Sequence, residues 1–92
     1  MIVRLRAFGE LEQPLGGERC ELTVPPDATL AHLLNTIDER WGAQLSAELW
    51  DRDARRFRGP VVILADGRDI TDPATPLREG QIISLVPVIS GG

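Results

Sequence analysis

Lysine and tyrosine are absent from this 92-residue chain, and cysteine, histidine and methionine occur once each. Without lysine, all ten basic residues are arginine. Polymers linked through internal lysines are therefore excluded, although the chain can still donate an acyl group. Cys20 alone cannot close an internal disulfide, which fits a reducing compartment and leads us to expect a cytoplasmic location. No apolar run approaches the roughly 20 residues that span a bilayer. Met1 to Phe8 alternates, with Arg4 and Arg6 inside it, and does not read as a signal peptide, so no membrane partner is expected. Aromatic residues make up only 4% of the chain, and fourteen acidic residues against ten basic give a net charge of −4. A nucleic-acid partner is not expected, because phosphate binding needs a basic face and stacking needs aromatic platforms.

What is present suffices for one domain. The hydrophobic share is 42%, and a chain of this size buries about 60–65% of its unfolded surface. Ile2 to Phe8 has the period of a strand, with Val3, Leu5 and Ala7 toward a core. Gly9 to Glu18 reads as a turn containing Pro14, Gly16 and Gly17. Cys20, Leu22 and Val24 then alternate with Glu21 and Thr23, giving an antiparallel partner for the first strand. After Pro25-Pro26, Asp27 or Thr29 caps a helix whose apolar stripe is Leu30, Leu33, Leu34, Ile37 and Trp41. Gly42 is expected to stop it with a positive φ.

Leu45, Leu49, Trp50 and Phe57 are apolar anchors among charges, and Asp51 to Arg58 suits a tight turn between two short strands. Val61 to Leu64 reads as a buried strand, Asp66-Gly67 as a turn, and Ile70 as the start of a return. Thr71 to Pro76 is a loop, and Leu77 to Gly80 is a last turn before the strand Gln81 to Val86. That strand is apolar enough to be central and covered on one side. These faces share one core if the helix lies across one side of a sheet.

Several side chains invite functional readings and also have simpler ones. Cys20 shares a face with Leu22 and Val24 and reads as a core thiol rather than a site of persulfide or disulfide chemistry. His32, with no second histidine, reads as a helix-edge residue rather than a metal ligand. Asp66, Asp69 and Asp72 read as turn formers rather than a cation site, and Trp41 and Trp50 as core or core-edge residues. Arg52, Arg55, Arg56 and Arg58 form a solvated loop or a partner contact.

Pro87 to Gly92 closes the sequence with two glycines, which have no side chain to pack and lose the most entropy when fixed. They form a slim thread able to enter a narrow active site. Read with Thr29-Leu30 and Leu33-Leu34, Val61 to Ile70, Thr75 to Ile83 and Leu85 to Gly92, the chain resembles the MoaD/ThiS family of ubiquitin-like sulfur carrier proteins. That family takes in the molybdopterin synthase small subunit and CysO-like and Urm-like members. The resemblance implies an α+β fold of β-grasp type, a mixed sheet with one main helix packed on one face, over residues 1–86. Residues 87–92 would be a flexible C-terminal reactive tail. It also implies that Gly92, presented by Gly91, is joined to AMP by an E1-like adenylyltransferase of the MoeB/ThiF type and then converted to a thiocarboxylate. ATP and the sulfur donor would be used by that partner, with no cofactor or metal bound by this chain and no catalysis by the chain alone. The expected acceptor is an enzyme such as the molybdopterin synthase large subunit, in molybdenum cofactor biosynthesis. Sulfur delivery to cysteine, thiamine or tRNA, and conjugation through Gly92 to target lysines, remain alternatives.

Overall fold

A computed structural model describes residues 1–58 and 61–88. The chain forms β1 (Ile2–Ala7), a single 3-10 turn at Gly9–Leu11, β2 (Arg19–Thr23), α1 (Leu30–Trp41), β3 (Trp50–Asp51) and β4 (Arg56–Phe57). These are followed by β5 (Val61–Ala65), β6 (Arg68–Asp69) and β7 (Ile82–Pro87). Five strands make one mixed sheet in the order β2-β1-β7-β5-β6, and β3 with β4 forms a separate hairpin. β1 and β7 lie side by side and parallel, and the other neighbours are antiparallel. This is the β-grasp arrangement.

The alternation in β1 follows from one-sided burial: Val3, Leu5 and Ala7 face the core with Leu22 and Val24, while Arg4 stays exposed. Leu30, Leu33, Leu34 and Ile37 of α1 are buried in the same core as Ile83 and Leu85. Each such side chain contributes about 1.5–3 kcal/mol by leaving water. The loop after β6 satisfies the first helical donors, since the N–H groups of Leu30 and Ala31 donate to the carbonyls of Thr75 and Pro73, both at 2.9 Å. Thr29 is the cap residue, and its N–H donates to His32 Nδ1 at 3.0 Å. His32 thus works at the helix start from an exposed position.

Four elements depart from the sequence reading. Gly42 has φ −53°, so it does not stop the helix by a left-handed turn. Glycine is needed there for space, because a Cβ would sit 2.5 Å from the Asp38 carbonyl and 2.6 Å from its Oδ1. Gly42→Ala is expected to cost about 1–3 kcal/mol through overpacking, measured by urea denaturation, with helix content retained. The 9–18 segment is more than a turn, since Leu11 and Leu15 are buried in the core. Its spacing around Pro14 hid them.

β5 is not buried throughout. Val61 and Ala65 are enclosed, while Val62, Ile63 and Leu64 are partly exposed, because a β-branched run carries no alternation from which to read its faces. The return after Asp66-Gly67 begins at Arg68 rather than Ile70. Both turn residues have positive φ, 51° and 84°, as a two-residue hairpin turn requires.

Candidate functional site

β7 is the element that presents the end of the chain. It is clamped on both edges, by β1 through Arg4↔Ile82 to Ala7↔Leu85 and by β5 through Val61↔Pro87 to Ala65↔Ile83. Residues opposite each other across a ladder share a face. Ile83 and Leu85 are fully buried under the helix side, which leaves Ile82, Ser84 and Val86 outward. β7 runs one residue into the segment assigned to the tail: Pro87 pairs with Val61 and lies against Gly9, whose Cβ position would be 3.4 Å from Pro87 Cγ. Beyond it Val88 is 53% exposed. Gly91 and Gly92, the residues expected to react, lie outside the described residues, as do Ile89 and Ser90.

The outward face beside this exit is unusually apolar at its centre. Ile82 is 40% exposed, and Val86 stands opposite Val62, both half-buried. Apolar side chains left on an outward sheet face are candidates for an interaction site. The sequence reading did not assign Val62, Leu64 and Ile82 to this face. The signal that finds them is register, since β5 and β7 are both too apolar to show a period.

The remaining candidates have structural employment. Cys20 is half-buried at the edge of the core rather than inside it, with Sγ 3.7 Å from the Glu21 carbonyl. Trp50 is buried and donates from Nε1 to Asp38 Oδ1 at 2.9 Å, while Trp41 is half-buried with Arg40 5.0 Å from its ring centroid. Three of the four loop arginines are engaged: Arg52 with Asp38 at 3.5 Å, Arg55 with Asn35 at 3.4 Å, and Arg58 with the Ala47 carbonyl at 2.7 Å.

Asp66 holds the approach to β7. Hydrogen bonds from Gln81 and Arg78 keep its carboxyl below the usual 3.8. Because the folded value is depressed, its stabilising contribution is present above pH 3.8 and disappears as pH falls through the lower folded value. Asp51 is lowered likewise, first by the Ala54 N–H and also by Arg58. Asp72 accepts the Ala74 N–H at 2.9 Å as a turn former. No group of three or more His, Cys, Asp or Glu among the described residues could hold a metal ion. No helix among them is long and apolar enough to cross a membrane.

The profile of the ThiS family matches residues 5–92. Among solved structures, SAMP1 from Haloferax volcanii superposes with a TM-score of 0.81 at 21% identity, covering 100% of both chains. A chain of the complex of subunits 1 and 2 of the molybdopterin-converting factor from Helicobacter pylori gives 0.65 at 25% identity, again over 100% of both chains. Urm1 from Trypanosoma brucei gives 0.71 at 16% identity, over 99% of this chain and 95% of that one. No curated protein matches by sequence.

Proposed function

This chain belongs to the ThiS family of ubiquitin-like sulfur carriers, and from that premise we propose that its working group is the carboxylate of Gly92, activated and converted to a thiocarboxylate. The observation that carries the reading is that the family match runs through Gly91-Gly92, directly beyond a strand held on both edges at the centre of the sheet. A carboxylate is a poor electrophile. An E1-like enzyme of the MoeB/ThiF type overcomes this by letting a Gly92 oxygen attack the α-phosphate of ATP, with pyrophosphate leaving. A sulfide-equivalent donor then attacks the acyl carbon, AMP leaves, and sulfur remains in its place. The charges that stabilise phosphoryl transfer belong to the enzyme, while this fold contributes binding energy remote from the reacting atom.

Molybdopterin synthesis is the pathway we favour, supported by the 25% identity over whole chains with the Helicobacter pylori molybdopterin-converting factor complex. A second subunit would then be the sulfur acceptor. The test is intact-mass spectrometry after incubation with ATP, a sulfur donor and the cognate activating enzyme. A mass gain equal to exchange of one oxygen for sulfur, localised to Gly92, is expected. No such gain, or only species joined to target lysines, would overturn the reading.

The face formed by Ile82, Val86 and Val62 is where the activating enzyme would dock. Val86→Asp is expected to weaken that binding by about tenfold or more, since a buried unpaired charge costs several kcal/mol. Far-ultraviolet circular dichroism should be unchanged. Equal binding by the variant would place the docking surface elsewhere.

A further inference from the structure

Away from the helix, β1 and β2 set Arg4, Arg6 and Arg19 around a depression of about 430 Å³, rimmed by Ile82 of the last strand. The ladder places Arg6 directly opposite Arg19, and like charges facing across a ladder disfavour the fold. Arg19 has no carboxylate within ion-pair distance among the described residues. Arg6 lies 5.2 Å from the centroid of the Phe8 ring, and its Nε is buried without a hydrogen-bond partner. Such a donor costs free energy until something accepts from it. Arg4 reaches Glu21 at 3.4 Å and Arg6 reaches Glu18 at 3.7 Å. The Arg4–Glu21 pair is largely exposed, and Glu18 is exposed opposite a partly buried Arg6, so an incoming carboxylate competes with exposed partners at modest cost.

We propose that this depression receives an acidic segment of a partner protein, with a carboxylate between Arg6 and Arg19 and an apolar neighbour on Ile82. The chain carries −4 overall, while here Glu21 and Glu18 balance Arg4 and Arg6 and leave Arg19 as the unbalanced charge of the hollow. A nucleic-acid strand is the poorer fit, because the Phe8 ring is covered by Arg6 and offers no stacking platform. A bare inorganic anion leaves Ile82, 40% exposed, without an occupant. The inference rests on the sulfur-carrier reading only in taking the activating enzyme as one partner to test.

Two measurements decide it. The isotope-labelled full chain is titrated with a synthetic peptide of alternating glutamate and leucine, with its glutamine counterpart, and with inorganic phosphate. Amide shifts at Arg4 to Arg6, Arg19 to Glu21 and Ile82 are expected with the glutamate peptide alone. Absence of shifts, or equal shifts with phosphate or the glutamine peptide, would overturn the proposal. Arg19→Glu is then compared with Arg68→Glu at the far edge of the sheet. The first places a carboxylate opposite Arg6 and should melt at a higher temperature, yet bind the activating enzyme about tenfold more weakly. The second should bind as wild type. A lower melting temperature or undiminished binding for Arg19→Glu would sink the proposal. If the wild-type chain is not activated at all, the sulfur-carrier reading fails, and the peptide titration still decides this one.

Discussion

Gly92→Ala is expected to lower the rate of adenylate formation by about 100-fold, because a misplacement of about 1 Å at a reacting atom costs that much. Its unfolding free energy, from urea denaturation, is expected to stay within about 0.5 kcal/mol of wild type. The division follows from where the residue stands in the chain. It lies five positions beyond the last residue of β7, while the residues that close the core, Ile83 and Leu85, sit inside the strand. On the proposed function, one added methyl would meet the walls of the partner's active site. Activation rates and melting measured on the same preparations test it. A variant that loses stability in proportion to activation would show that the terminal glycines serve the fold.

The largest loss of stability is expected at Trp50. Its side chain is 1% exposed, and its ring meets Phe57 edge-on at 4.7 Å with an interplanar angle of 75°. Its Nε1 donates to Asp38 on the helix, which also receives Arg52. Trp50 thus fastens the β3-β4 hairpin to α1. Trp50→Ala should cost about 3–5 kcal/mol, a large share of the 5–15 kcal/mol typical of a whole domain. Trp50→Phe keeps most of the volume and should cost about 1.5–3 kcal/mol for the hydrogen bond lost to a charged acceptor, which keeps Arg52. Chemical denaturation of both variants separates packing from the hydrogen bond. A loss below about 1 kcal/mol for the alanine variant would show that the hairpin is held by other contacts.

Much of this architecture was legible before any coordinates. β1 and β2 alternate because one face is buried and the other wet. The helix shows its stripe because Leu30, Leu33, Leu34 and Ile37 meet one core. The β-grasp type came with the family resemblance, since element order alone permits other arrangements. What stayed hidden depends on distances between residues remote in sequence. The need for glycine at position 42 arises from its approach to Asp38, which no φ preference announces. The outward placing of Val62 and Ile82 is a matter of register in strands too apolar to display it. Arg6 and Arg19 look like ordinary surface residues until the β1-β2 ladder sets them face to face.

The parallel neighbours β1 and β7 are also the first and last strands of this domain in chain order. Until β7 emerges, the sheet has a gap at its middle, with the β1-β2 hairpin on one side and the β5-β6 hairpin on the other. Folding to completion thereby waits for β7, and long loop closure makes it slow relative to a helical bundle of this size. A product cut short before Ile82 would lack its keystone strand. Quality control would meet it as an unfolded chain, never as a well-formed domain with a defect at one edge.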